Sequence, residues 1–220
     1  MNLKLLLQNE DLQNLLNNHE TLINLIINKK PVSELEEIIN TCSEYALALG
    51  MQHGHSVFVR KCHSAYISGS KNMISLINIK KTYYSLINAI ASIFQKLQNK
   101  ENIFICTKIS LKINKENIYI SNRWMPGTLT NSKHVIHNYE NLQFKKFGLI
   151  ISTITISHPV ISREVYIMNE KRPHQTKLIS IVDTNISVIE EDNNFINIML
   201  NDESPYYNLI LSHLLKTILK

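Results

Sequence analysis

A turn near the middle of the chain combines residue types that can hold a phosphate. The segment NRWMPGTLTN, residues 122–131, contains the only Trp of the chain, Trp124, directly after Arg123. The planar guanidinium of Arg123 can pair with a phosphate through two parallel hydrogen bonds. Pro126 and Gly127 predict a tight turn, because Pro fixes its own φ and Gly permits a left-handed conformation. These residue types leave open whether Trp124 stacks on a base or fills the core.

A predicted helix follows this turn and strengthens the case for an anion. The pattern indicates a helix over residues 131–142, and a side-chain oxygen of Thr130 or Asn131 can cap its first turn. A helix N-terminus beside an arginine attracts anions, because its free N–H groups and its dipole both favour negative charge. RNA phosphate is therefore the leading functional interpretation. The alternative is a purely structural turn with a half-buried Trp.

Two histidines lie close together in the segment GMQHGHS, residues 50–56. His53 and His55, with Cys62 and His63 downstream, do not provide four ligands at the spacing that a structural zinc site needs. We therefore expect no metal at this segment. Loop histidines of this kind more often bond to the backbone or to RNA.

The sequence contains no recognisable catalytic pattern. Neither G-x-G-x-x-G nor G-x-x-x-x-G-K-[ST] occurs, so a nucleotide enzyme would lack its phosphate-binding loop. Asp183 and Asn185, at the end of a predicted strand, are interpreted as partners of the neighbouring backbone. The acids in NDESP, residues 201–205, precede a predicted helix and suit its positive N-terminus. We therefore expect neither catalysis nor a cofactor.

The bulk composition favours a polyanionic partner. The net charge of +5 and the pI near 9.0 suit a protein that touches a few phosphates. No apolar run reaches the roughly 18 residues of a membrane-spanning helix, so we expect no span. The cysteines form an odd set without C-x-x-C spacing, which predicts a reducing compartment and no disulfides. They are Cys42, Cys62 and Cys106.

Hydrophobic periodicity predicts helices and strands that alternate over most of the chain. Helices are predicted over residues 3–28, 33–49, 81–98, 131–142, 159–169 and 205–220, and strands over 73–79, 102–107, 117–120, 147–156 and 177–183. A brief extended segment is expected over 195–200 and a loop over 50–58. Ser33 and Glu36 match a capping box at the start of the second helix, and Gly50 can end it.

Alternating strands and helices predict an α/β fold of three layers, α/β/α. The sheet should be mostly parallel with about five strands, because continuous apolar strands are typical of a sheet buried on both faces. Residues 1–49 are interpreted as an N-terminal helical arm and residues 50–220 as the α/β domain. Loops that follow parallel strands gather at the carboxyl edge of the sheet, so the Trp124 turn is expected there.

Six motifs occur in the order found in a known family. GMQHGHS resembles G-x-H-x-G-H, and YISGSKNMISLINIKKT, residues 66–82, resembles Y-I-x-G-x-R-x-G-x-x-I-I-D-L-x-K-T. IFICTK is similar to L-F-V-G-T-K, and NRWMPGTLTN is similar to R-W-x-G-G-x-L-T-N. IVDTN and NDES complete the set. Together they resemble the universal small-subunit ribosomal protein S-two family between Gly50 and Ser204.

Several residues depart from the family pattern. Lys71 replaces an Arg, Asn78 an Asp, and Met73 and Cys106 each replace a Gly. Few residues separate the Trp124 turn from the next strand, so the domain is expected to lack the long helical hairpin that bacterial members insert there. Pro126, in place of the first Gly of R-W-x-G-G, is the form associated with mitochondrial members.

The resemblance implies a non-enzymatic structural constituent of the small ribosomal subunit at the head–body junction. Its partners would be ribosomal RNA and neighbouring small-subunit proteins, and it would not be a free homo-oligomer. The implied RNA contacts fall on eight residues, with Trp124 and Pro126 also holding the turn. They are Arg123, Trp124, Lys133, His53, His55, Arg60, Lys71 and Lys81.

The composition also suggests where the protein is made. Abundant Ile, Asn, Lys and Tyr are typical of an adenine- and thymine-rich coding genome, and the first residues resemble neither a signal peptide nor an Arg-rich transit peptide. Either the protein works where it is made or a presequence has already been removed. Together with the resemblance to mitochondrial members, the composition suggests synthesis from the mitochondrial genome and work in the matrix. Two other function classes stay open: a small nucleotide-binding α/β enzyme, and a protein-interaction module that uses the Leu-rich arm.

Overall fold

Five parallel strands form the central sheet of the computed structural model, which describes residues 6–113, 115–131, 147–171, 176–189 and 193–219. The strands are β4 (Asn102–Cys106), β5 (Ile118–Ser121), β6 (Phe147–Ser152), β7 (Lys177–Val182) and β8 (Phe195–Met199). Their order in the sheet is β5-β4-β6-β7-β8, and each neighbouring pair is parallel. The predicted parallel sheet is therefore confirmed.

Helices cover both faces of this sheet. The described helices are α1 (Glu10–Ile27), α2 (Val32–Ala48), α3 (Ile79–Gln98), α4 (His158–Lys171) and α5 (Tyr207–Ile218). Alternate strand residues point to opposite faces: Ile103 and Ile105 of β4 join the larger core with α3 and α5, whereas Phe104 joins a smaller core with α4. The three-layer α/β/α architecture is therefore confirmed. Of the described helices, none is long and apolar enough to cross a membrane.

The two arm helices form a further layer on the larger core. α1 and α2 pack against each other and against α3, and α1 also contacts α5. Leu12, Leu15 and Leu22 of α1 are fully buried. Burying a leucine side chain contributes roughly 1.5–3 kcal/mol, so the arm shares its stability with the domain beneath it.

The ends of α2 answer two predictions from the sequence. The capping box at Ser33 is wrong: Pro31 occupies the N-cap position, no side chain caps it, and Ser33 lies in the first turn. Pro31 takes that position because its fixed φ suits an extended N-cap residue and it has no N–H to satisfy. The predicted stop at Gly50 is confirmed. Its φ is +69°, and Met51 N donates to Ala46 O at 3.0 Å in a Schellman arrangement.

A second, antiparallel sheet corrects the predictions for residues 50–79. It consists of β1 (His53–Ser56), β2 (Ile67–Lys71) and β3 (Ile74–Ile77), in the order β1-β3-β2. The loop predicted over 50–58 therefore contains a strand, and 73–79 does not join the parallel sheet. Asn72 and Met73 have φ values of +51° and +61°, which reverse the chain in a tight hairpin. The place assigned to 73–79 is taken by β8.

His19 gives the fold a defined response to acid. Its Nε2 lies 3.0 Å from the Tyr83 hydroxyl, and burial, aided by nearby His213, lowers its pKa to about 3. The unfolded chain protonates His19 below its ordinary pKa of 6.5, so this contribution is present above pH 6.5 and is lost as pH falls toward 3.

We expect His19→Leu to flatten the pH dependence of stability. Between pH 7 and pH 5, the free energy of unfolding of the wild type should fall by about 2 kcal/mol more than that of the variant. The variant keeps the hydrogen bond from the Tyr83 hydroxyl to Cys42 O. Urea unfolding at the two pH values measures the difference. Equal falls in both proteins would contradict the assignment.

Candidate nucleic-acid interface

The carboxylate of Asp183, directly after β7, joins three segments that are far apart in the sequence. It is fully buried and accepts hydrogen bonds from the backbone N–H groups of Thr184 and Asp202, at 2.5 and 3.0 Å. Nδ1 of His55, in β1, lies 3.1 Å from the same carboxylate. β1, the end of β7 and the segment after β8 therefore meet at one group, which we call the Asp183 junction.

Thr184 fastens the small sheet to this junction. Its Oγ1 accepts the N–H of His55 at 2.8 Å, and its carbonyl oxygen accepts the N–H groups of Lys61 and Cys62 at 2.9 and 3.1 Å. Gly54 allows this approach, because a Cβ there would lie 2.6 Å from Thr184 Cγ2. The backbone on either side of Arg60 is thus held by side chains and backbone 120 or more residues later in the chain.

The two predicted contact histidines occupy different surroundings. His53 is exposed, and its Nδ1 lies 2.9 Å from Gly50 O. The ring of His55 lies between two carboxylates, because its Nε2 is 3.5 Å from Glu203 Oε1 while Nδ1 faces Asp183. His55 therefore positions β1 on the junction, and an RNA contact stays a prediction for both histidines.

Three side chains of the junction could also hold a cation. Ligand atoms of His55, Asp183 and Asp202 all lie within 4.8 Å of one another. Nitrogen and carboxylate oxygen are ligands that Zn²⁺ accepts, but three groups leave a tetrahedral site one ligand short. This set differs from the histidines and cysteines considered in the sequence, and hydrogen bonds already use both oxygens of Asp183.

The small sheet carries an exposed basic surface. Arg60 and Lys61 follow β1, Lys71 ends β2, and all three side chains are exposed. No Asp or Glu occurs between Glu44 and Glu101. We call these three cations the basic rim. Two of the predicted contact residues, Arg60 and Lys71, are therefore brought to one small sheet.

Lys81 lies at the other end of that sheet. It is in the first turn of α3, and Asn78 caps this helix by accepting the Lys81 backbone N–H at 3.1 Å. Its Nζ is 5.6 Å from the centroid of the Tyr66 ring, a cation–π distance. β3 separates Lys81 from the hairpin at Lys71, so these two predicted contacts do not form one cluster.

The Trp124 turn is anchored from beneath by one carboxylate. Trp124 is 7% exposed and meets Phe104 edge to face, with centroids 5.4 Å apart. Glu164 of α4 is 6% exposed and accepts three hydrogen bonds: from Trp124 Nε1 at 3.4 Å, Gly127 N at 2.6 Å and Leu129 N at 2.9 Å. The indole therefore fills the core and holds the turn.

Glu164 is a residue that the sequence analysis missed. It lies three residues after Ile161 and directly before Val165, both of which are fully buried on α4. The available signal was an acidic residue on the apolar side of a helix, which requires a partner when buried. Its partners are N–H groups of the turn, so sequence spacing gave no direct indication of them.

The turn itself presents Arg123 at the carboxyl edge of the sheet. Thr128 N donates to Met125 O at 3.1 Å and Gly127 has a φ of +89°, which define a type II turn with Pro126 at its second position. Arg123 lies two residues after the end of β5 and is exposed. The turn is therefore a rigid support beside an exposed guanidinium.

Part of the predicted contact lies beyond what the structure describes. Thr130 and Asn131 are exposed, and Asn131 N donates to Gly127 O at 2.7 Å. Lys133, the helix predicted over 131–142 and the position of the hairpin insertion lie outside the described residues. Their parts in the interface stay predictions.

A cleft opens beside Asp202 of the Asp183 junction. It lies at the ends of β4 and β6, and its lining includes Lys108, Thr153, Thr155, Asp202 and Tyr207. The Asp202 carboxylate accepts the hydroxyl of Thr155 at 2.7 Å. The Asp202 carboxylate in the cleft would repel a phosphate.

The described residues form a three-layer α/β/α domain with a parallel sheet. Its two anchoring carboxylates are Asp183, which holds the small sheet, and Glu164, which holds the Trp124 turn. Comparison with known proteins identifies the family: the model for "Ribosomal protein S2" matches residues 46–159. The matched segment covers more than half of the chain. The chain belongs to the ribosomal protein S2 family.

Bacterial relatives agree with this assignment. A protein of Marinobacter nauticus named "Small ribosomal subunit protein uS2" is 32% identical over 109 residues, covering 44% of this chain and 44% of its own length. A protein of Idiomarina loihiensis with the same name is 31% identical over 106 residues, with the same two coverages. The match thus spans less than half the length of these curated relatives.

Proposed function

We propose that this chain is a non-enzymatic structural constituent of the small subunit of a mitochondrial ribosome, docked on ribosomal RNA and neighbouring proteins at the head–body junction. The observation that carries the proposal is family membership combined with exposed cations on a rigid support. Arg123 projects beside a turn held by Glu164, and the basic rim is held by the Asp183 junction. Preformed cations bind phosphates with little loss of conformational freedom.

The mitochondrial part of the proposal rests on the sequence. Pro126 in the R-W-x-G-G segment and the Ile- and Asn-rich composition support a mitochondrial member encoded in the organelle. The relatives named above are bacterial, so localisation needs its own measurement. Sucrose-gradient fractionation of a mitochondrial extract, with this chain detected by mass spectrometry, should find it with the small subunit. Detection only at the top of the gradient would contradict the proposal.

We expect Arg123→Ala to weaken the association with small subunits by roughly 1.5–3 kcal/mol, the contribution of a hydrogen bond to a charged group. The difference in association between wild type and variant should shrink as the salt concentration is raised, because salt screens contacts with phosphate. Co-sedimentation of tagged full-length chain with small subunits measures it.

Lys216→Ala is the charge-matched control for this variant. Lys216 is exposed in the last turn of α5, which runs away from the carboxyl edge of the sheet. Equal co-sedimentation of the two variants would remove Arg123 from the contact.

Two further measurements test the other function classes. A specific rise in melting temperature with a nucleotide would favour the enzyme class, and association insensitive to salt would favour a pure protein-interaction module.

A further inference from the structure

The outer end of the small sheet exposes apolar side chains that no element of the described chain covers. Phe58 is 84% exposed, Met73 is 65% exposed and Val59 is 47% exposed. The two segments are adjacent, because Val57 N donates to Met73 O at 2.9 Å. A phenyl ring this exposed adds almost no buried apolar area to the fold. An exposed apolar patch of this kind indicates a contact with another molecule.

The backbone at Met73 adds a second indication. Met73 and Asn72 both have left-handed φ values, +61° and +51°. Asn tolerates this conformation well, whereas a longer side chain such as that of Met disfavours it. The Met73 side chain is exposed, so packing in the core does not offset the unfavourable backbone conformation.

The surroundings of these apolar residues are cationic. Arg60 and Lys61 follow Phe58 within three residues, and Lys71 precedes the hairpin turn at Met73. The segments that form the small sheet contribute no acid. Glu203, in the segment after β8, faces the ring of His55 in β1.

An unpaired nucleotide satisfies both parts of this surface. Its base offers a flat apolar face to an aromatic ring, and its flanking phosphates offer charge to the cations. A duplex buries its base faces, and an uncharged peptide would leave the three cations without counter-charges. We infer that Phe58 and Met73 form a platform on which an unpaired base of ribosomal RNA stacks, with the basic rim holding the adjacent phosphates.

This inference rests on the proposed function and deepens it, because it names the kind of RNA that the rim binds. The platform requires single-stranded RNA, as in a loop, bulge or strand end, where bases are free to stack on protein side chains. Arg123 and the Trp124 turn offer no exposed ring, so a contact there does not require single-stranded RNA.

Fluorescence anisotropy with purified full-length chain tests the platform. The probes are a short single-stranded RNA of mixed sequence and the duplex of the same sequence. Phe58→Ala is expected to weaken single-strand binding roughly 5- to 150-fold, and to leave duplex binding and the salt slope unchanged. Phe58→Trp should keep the affinity, because it keeps an aromatic face. Lys61→Ala should instead weaken both probes and reduce the salt slope by roughly 0.7–0.9.

Three outcomes would overturn the inference. The first is equal single-strand affinity for Phe58→Ala and wild type, and the second is an equal loss for both probes. The third is reduced small-subunit association of Phe58→Ala with unchanged RNA affinity, which would assign the platform to a protein. Failure of the wild type to co-sediment with small subunits would refute the proposed function separately. The exposure of Phe58 allows the variants to fold, and a thermal melt verifies it.

Discussion

Replacing Glu164 with Ala should destabilise the chain by roughly 3–5 kcal/mol and release the Trp124 turn. The carboxylate accepts hydrogen bonds from Trp124 Nε1, Gly127 N and Leu129 N at 6% exposure, so its loss leaves three donors without their partner. Each lost hydrogen bond to a charged group costs roughly 1.5–3 kcal/mol, and water entering the vacated space recovers part of the total. Urea unfolding measures the stability, and small-subunit co-sedimentation measures the effect on Arg123.

Two further variants make this result specific. Glu164→Gln keeps an oxygen for Trp124 and Gly127 but turns an amide N–H₂ toward Leu129 N, so it should fall between wild type and Glu164→Ala. Glu170→Ala removes an exposed acid from the same helix and should change stability by less than about 0.5 kcal/mol. If Glu164→Ala behaves like Glu170→Ala, the carboxylate does not hold the turn.

Gly54→Ala should cost about 1–3 kcal/mol and impair docking through the basic rim. The added Cβ would lie 2.6 Å from Thr184 Cγ2 and 2.7 Å from its Oγ1, so β1 must move away from the junction. That movement would lengthen the hydrogen bond from His55 N to Thr184 Oγ1. The N–H groups of Lys61 and Cys62 would then lose their alignment with Thr184 O.

Gly69→Ala is the matched control. Gly69 lies in β2 of the same sheet, and a Cβ there meets no atom within 4 Å. Its stability should stay within about 0.5 kcal/mol of wild type, and its association with small subunits should not change. Chemical unfolding and co-sedimentation of both variants give the comparison. Equal behaviour of the two alanine variants would contradict the close packing at Thr184.

The central sheet was predictable because its strands are continuous apolar runs bounded by polar segments. Residues 102–107, 177–183 and the first part of 147–156 are such runs, and a sheet buried on both faces suits them. The strand predicted over 147–156 was too long, because it ends at Ser152 and a 3-10 turn follows at Thr155–Ser157. The run at 73–79 has the same composition but belongs to the antiparallel sheet. Its pairing depends on the turn at Asn72 and Met73, and Met is not a residue whose type predicts a left-handed turn.

The candidate site was predictable in its parts and not in its assembly. Arg123 and Gly127 were identified from residue type, because φ and charge are properties of single residues. The links that join the parts are long-range: Glu164 is 35 or more residues from the turn that it holds, and His55 N is 129 residues from Thr184 Oγ1. Periodicity and spacing carry no information about such pairs.

The span of those links has a consequence for biogenesis. His53 O accepts a hydrogen bond from Nδ2 of Asn201, 148 residues later, and Lys61 N donates a hydrogen bond to Thr184 O. A nascent polypeptide that has not yet emerged as far as Thr184 lacks the groups that fasten β1 and the backbone beside Arg60, and the link to His53 O forms only with Asn201. Under the proposed function, capture by nucleic acid is thereby disfavoured until these later residues have been synthesised.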